Sequence, residues 1–287
     1  MIRISRPALL TALLALSVTA CSQQATEAPQ AAAPAAEAPA AAPATAVDLS
    51  AETAAYKTWV EAQMDDLLKA TQAFTAALKA GKLAEAKKHY APARLFYERS
   101  EPIAESFGDL DPRIDNREAD LQKDEVWSGF HAIEKILWTK NTTKGTEALA
   151  DKLLNDIKEL RAKLPTAEVT PELMVQGAVD LLNEVSTSKI TGEEEIFSHT
   201  DLFDFKANIE GAEKIFEIFT PALQKKQPQL VTSLTERFKA VNTLLDKHRD
   251  GGGYQLYTAL SKDEIKALAE AVNKLGEPLA QMGVILQ

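Results

Sequence analysis

From Asp48 onward, apolar residues recur every three or four positions with polar residues between them. Tyr56, Trp59, Val60, Met64, Leu67, Phe74 and Leu78 fall on one side of a helix that Gly81 ends, because this spacing stacks side chains along a 3.6-residue turn. The same period predicts helices over 83–99, with Pro92 as a kink, over 125–138, and over 146–163 before Pro165. In the second of these, Val126, Phe130, Ile133 and Leu137 form the apolar side. Thr170-Pro171-Glu172 starts another helix, with Thr as N-cap and Pro at the first helical position, reaching about Lys189. Two more cover 201–219 and 228–247, and a capping box of Ser261 and Glu264 opens the last. No stretch shows sustained strand alternation. Seven or eight helices on mostly short turns predict an all-α fold of packed helix bundles in two halves, roughly 48–165 and 166–287.

The first 47 residues are of two other kinds. Arg3 and Arg6, the apolar stretch Ala8–Leu16 and the small residues Val18-Thr19-Ala20 make residues 1–20 a signal peptide, too short in its apolar part to span a bilayer. Cys21, the only cysteine, stands where a lipobox needs its acceptor thiol. Acyl chains on Cys21 would anchor the protein at the periplasmic face of a membrane without spanning it. Ser22, in place of Asp, favours the outer membrane in a two-membrane bacterium. Residues 21–47 are Ala- and Pro-rich, cannot bury a core, and read as an extended tether.

Without a second cysteine, no internal disulfide can staple the fold, so a hydrophobic core must hold it. The net charge is −10, and removal of Arg3 and Arg6 with the leader makes it about −12. No basic stripe is visible, which excludes nucleic acid as a partner. An acidic surface suits an exported protein or one that collects cations.

Two polar connections could carry chemistry. One is YERSEPIAESFGDLDPRIDNRE leading into GFHAIEKILW; the other is ITGEEEIFSHTDLFDF. Glu98 and Glu101 lie three apart, as do His131 and Glu134, so each pair shares a helix face. Asp109, Asp111 and Asp115 lie in the turn-rich part, and Glu193, Glu194 and Glu195 precede His199, Asp201 and Asp204. Carboxylates with an imidazole, projecting from separate helices, are how a bundle holds a transition metal. Each pair alone has an ordinary reading: a solvated Glu face, a hydrogen-bonded histidine, acidic residues at a helix start. Trp127 and Trp138 read as core. HExxH and GxSxG are absent, and Ser186-Thr187-Ser188-Lys189 matches SxxK with no partner motif, so catalysis has little support.

The quoted segments together resemble the imelysin-like family, and within it the EfeO/EfeM branch of exported iron-uptake components. The resemblance runs from about residue 50 to the C-terminus. It implies two packed four-helix bundles, capture of iron (Fe³⁺ or Fe²⁺) outside the inner membrane, and handover to an inner-membrane permease with a peroxidase-type partner. The family's GxHxxE motif falls on Gly129, His131 and Glu134. Its metal-site carboxylates fall on Glu98, Glu101 and Asp115, with one more from the GEEE run, Glu194 foremost and Glu193 or Glu195 as alternatives. Where full-length EfeO proteins carry a cupredoxin-like domain, this chain has only the tether, so it resembles the shorter EfeM type. Hard oxygen ligands suit iron or other hard and borderline divalent metals. Two other readings remain: the metal-dependent peptidase that the wider family's label implies, and a binding module for an anionic polysaccharide or a partner protein.

Cys21→Ser removes the acyl acceptor. The variant is expected to accumulate as an uncleaved precursor or to appear soluble; a processed chain that still partitions into detergent would overturn the lipoprotein reading.

Overall fold

Helix α1 (Ser50–Lys79) buries Tyr56, Val60, Met64, Leu67, Phe74 and Leu78, the stripe that its spacing predicts. A computed structural model describes residues 47–286; the leader, Cys21 and the tether up to residue 46 lie outside the described residues. The chain turns at Gly81, whose φ of +71° suits glycine, and returns as α2 (Leu83–Glu98), which runs on through Pro92. Two short helices follow, α3 (Glu101–Ala104) and α4 (Leu110–Asp115), then α5 (Phe130–Thr139) and α6 (Glu147–Lys163). The second half holds α7 (Pro171–Thr187), α8 (Asp201–Lys226), α9 (Pro228–Asp246) and α10 (Lys262–Leu286). The only strands among the described residues are two-residue pieces, β1 (Arg249–Asp250) and β2 (Gly253–Tyr254), paired antiparallel around the glycine run.

Two sets of helices form the fold. α1, α2, α5 and α6 pack together, and α7 to α10 close a ring in which each helix touches the next and α10 returns to α7. α8 joins the sets by lying against both α1 and α2, and one hydrophobic core runs through them. Aromatic rings concentrate where α1, α2 and α5 meet. Phe74 and Phe130 stack at 6.1 Å, and Tyr90 meets Phe74 edge-on at 5.8 Å and Trp138 at 5.3 Å. Such pairs add about 0.5–1.5 kcal/mol each beyond burial.

The predicted caps are present: Thr170 Oγ1 accepts the Leu173 N–H at 3.1 Å, and Glu264 Oε2 accepts the Ser261 N–H at 2.8 Å. Three boundaries differ from the periodicity. α5 starts at Phe130 rather than near Glu125, and Val126 is exposed rather than packed. Gly129 adopts φ +89°, which no helix continues through. α8 extends past Phe219 and through Pro221, since Ala222 and Leu223 prolong its buried stripe. The carbonyl deprived of a partner by Pro221 belongs to Glu217, on the exposed side. α7 ends at Thr187, and Lys189–Thr191 form a separate tight turn closed by Gly192.

A chain beginning at residue 46 should fold alone, because Val47 to Leu286 contain the whole described core. Its circular dichroism should be strongly helical; a substantial β signal would overturn the architecture.

Candidate metal centre

Gly129 is what brings α4 and α5 together. A Cβ on it would lie 2.2 Å from the Ile114 carbonyl oxygen, so only glycine lets the start of α5 abut the end of α4. The intervening loop is tied down by Ser128 Oγ donating to the Arg113 carbonyl (2.9 Å) and by Trp127 Nε1 donating to the Asn116 carbonyl (2.6 Å). Trp127 is thus a half-buried loop residue, whereas Trp138 packs on Tyr90. Asp115, last in α4, then faces His131, in the first turn of α5.

The GEEE run is shaped separately. Gly192 takes φ +77°, and a Cβ there would meet the Tyr257 ring at 2.3 Å; the same ring's hydroxyl donates to the Ile190 carbonyl at 2.7 Å. The turn that follows docks on Glu134, whose Oε1 accepts the backbone N–H groups of Phe197 (3.0 Å) and Ser198 (2.7 Å). The other oxygen of Glu134 lies 3.1 Å from His131 Nδ1. Glu134 therefore fixes both the turn and the imidazole, as the outer partner of a metal-binding histidine does.

That leaves Nε2 of His131, in a residue only 2% exposed, as the free end of the ring. It lies 3.4 Å from Glu194 Oε1 and 3.7 Å from Asp115 Oδ1, with hydrogen-bond geometry to neither. Asp115, His131 and Glu194 offer ligand atoms all within 4.8 Å of one another, and so do His131, Glu134 and Glu195. The other residues singled out by sequence fall nearby or apart. Glu98 and Glu101 do not share one helix face as their spacing predicts, because α2 ends at Glu98 and α3 begins at Glu101 after a turn. Both still converge on Lys189 and on Asn208, whose Nδ2 donates to Glu98 Oε2 at 3.1 Å and to Glu101 Oε2 at 3.2 Å. Asp201 accepts the Glu195 N–H at 3.1 Å, and Asp111 accepts the Tyr97 hydroxyl. Glu193 is exposed and pairs with Arg117 at 3.4 Å; Asp109, also exposed, pairs with Arg113. His199 contributes its carbonyl to the Tyr257 N–H at 2.9 Å.

Two cations inside the cluster are invisible to motif reasoning. Arg94, on α2, is wholly buried; it pairs with Glu98 (2.5 Å), Asp115, Glu194 (3.2 Å), Glu195 (2.6 Å) and Asp204 (3.2 Å). Its guanidinium also sits 5.6 Å from the Phe130 ring centre. Lys189, equally buried, pairs with Glu98, Glu101 and Glu184. The SxxK match is no catalytic pair, since Ser186 Oγ donates to the Asn183 carbonyl, yet its lysine belongs to this cluster. One sequence signal could have found Arg94: it falls between Tyr90 and Tyr97 on the buried face of α2, where Glu98 is the other charged residue.

The electrostatics follow from burial set against these partners. Burial raises Asp115 to about 7 although Arg94 and His131 pull the other way. For Glu194 the same penalty is outweighed by Lys189, His131 and Arg94, and its carboxyl is held below the usual range. Burial and Arg94 oppose protonation of His131, but Glu134, Glu194 and Asp115 prevail and raise its pKa well above the ordinary value. Asp115 and Glu194 also line a pocket of 160 Å³, with Asp111, Asp120 and Glu184 on its walls and Arg117 beside them. It leads from the surface to the cluster.

The imelysin family model matches residues 52–282. A Staphylococcus haemolyticus protein named Efem/EfeO family lipoprotein is 53% identical over 243 residues, spanning 83% of this chain and 85% of that one. One of the same name from Staphylococcus aureus strain MSSA476 is 52% identical, spanning 84% and 86%. The chain belongs to the imelysin family, in its Efem/EfeO lipoprotein group. The fold is also that of a protein described as an iron-regulated protein A precursor from Parabacteroides distasonis, with TM-score 0.65, 17% identity and coverage of 85% and 96%. The imelysin match begins two residues after the start of α1, and both four-helix sets lie within it up to the last turn of α10.

Gly129→Ala must place a side chain at positive φ and against a backbone carbonyl. It should cost at least about 1–3 kcal/mol in urea unfolding, as α4 and α5 are pushed apart. A variant as stable as the wild type would refute the tight α4–α5 junction.

Proposed function

We propose that this Efem/EfeO-group lipoprotein captures iron through Asp115, His131 and Glu194 and passes it to an inner-membrane permease, with a peroxidase-type partner in the same uptake system. The observation that carries the reading is the Nε2 atom of His131, buried, without a hydrogen bond, and facing two carboxylates from different elements. A ring held through Nδ1 by Glu134 offers its other nitrogen as a ligand once deprotonated. One imidazole with carboxylate oxygens suits iron in either oxidation state, and neighbouring divalent metals less selectively. Glu134 positions the ring, while Glu98 and Glu101 form an outer acidic layer around Lys189.

Iron here is cargo. Binding displaces a proton from His131, so affinity should fall in acid. The peptidase reading has less support: the chain has no HExxH motif, and Glu134 is engaged by two backbone N–H groups as well as by His131. The acidic pocket opposes an anionic polysaccharide, since its carboxylates would repel one. The anchor at Cys21 places capture outside the cytoplasm, at the periplasmic face, with Ser22 favouring the outer membrane.

Thermal melts with and without Fe²⁺ or Mn²⁺ test the site. Metal should raise the melting temperature of the wild type by mass action. His131→Ala should lower affinity by about 10- to 100-fold or more, and Glu134→Gln by less while preserving the fold. Equal shifts in wild type and His131→Ala would remove His131 from the site.

A further inference from the structure

Resting on the metal-capture reading, we propose that Arg94 sets the affinity of the site: it is a built-in counter-ion that shares its ligand oxygens with the cargo and keeps binding reversible. The geometry lies in individual atoms. Asp115 Oδ1, which faces His131 Nε2 at 3.7 Å, is the same oxygen that pairs with Arg94 Nη1. Glu194 Oε1, 3.4 Å from Nε2, is also 3.2 Å from Arg94 Nη2. A metal held between the imidazole and these two oxygens therefore competes with a guanidinium for their lone pairs and sits beside its charge.

Arg94 cannot step aside by losing a proton, since guanidinium stays charged throughout the accessible pH range. Nor can it swing to solvent, being wholly buried and held through Nε by Glu195 and Asp204. In the empty site it neutralises carboxylates that would otherwise repel one another; in the loaded site it opposes the cargo. Lys189 differs although it is equally buried. Its partners Glu98, Glu101 and Glu184 do not face His131 Nε2, so it adds positive charge without competing for the same oxygens.

The test is calorimetric titration with Mn²⁺, and with Fe²⁺ under anaerobic conditions, on the chain beginning at residue 46, if it proves as helical as expected, or otherwise on the full-length protein. Arg94→Gln should bind at least about tenfold more tightly than the wild type, because a fixed positive charge next to the ligands is gone. Its metal-free form should melt lower, and its melting temperature should rise more on metal addition. Should Arg94→Gln fail to fold, the charge-balanced pair Arg94→Gln/Asp204→Asn removes one buried cation with one of its anions and should show the same tightening. Lys189→Gln should tighten binding much less. An Arg94 variant that folds and binds no more tightly overturns the proposal, and so does an equal gain in Lys189→Gln, which would assign the effect to overall charge. A wild type that binds neither metal overturns the metal-capture reading itself.

Discussion

A buried guanidinium surrounded by five carboxylates is the constraint around which the described structure is arranged. Ionised groups leave water only at a cost of several kcal/mol each, and removing one partner from such a set typically costs about 3–5 kcal/mol. The carboxylates come from α2, α4, the GEEE turn and α8, so Arg94 ties two distant stretches of sequence together, 94–115 and 194–204. The apolar core supplies the driving force for folding, but it specifies these positions only loosely. The charge cluster specifies them closely, because a carboxylate displaced by an ångström leaves a buried charge unpaired.

The charges in this arrangement are unbalanced. Acidic groups outnumber Arg94 and Lys189, and burial keeps several of them, Glu101, Glu195 and Asp204 among them, well above their ordinary pKa. Burial thus favours the protonated form of these carboxyls, which lessens their mutual repulsion. His131 is held by Glu134 through one nitrogen and is otherwise without a hydrogen bond. Under the proposed metal capture, the spare acidic groups would supply ligands and the internal cations would limit affinity.

Two glycines make that geometry available. Gly129 removes the Cβ that would separate α5 from α4, and Gly192 does the same where the GEEE turn passes Tyr257. Each sits two residues before a side chain of the candidate site, so small backbone allowances become the position of His131 and Glu194. Gly129 thus shapes the junction without offering a side chain of its own.

The sequence by itself determined the helical class, the run of long helices and their caps, since periodicity and capping chemistry act within a few residues. It also marked the segments that converge on His131: Asp115 and Glu194 lie near one of its nitrogens and Glu134 near the other, whereas Glu98 and Glu101 gather around Lys189. It did not determine that α5 begins only at Phe130, because the positive φ of Gly129 is set by contact with α4. Nor did it tell which of three adjacent glutamates faces His131. Glu193 points to solvent, Glu195 lies on the Tyr90 and Ser198 side, and Glu194 faces Nε2, an order fixed by a turn that docks on Glu134. Lys189 was beyond reach for the same reason, and the only hint of Arg94 was its place between Tyr90 and Tyr97. A basic residue on a helix is ordinarily solvated, and only the convergence of distant carboxylates around it makes burial tolerable.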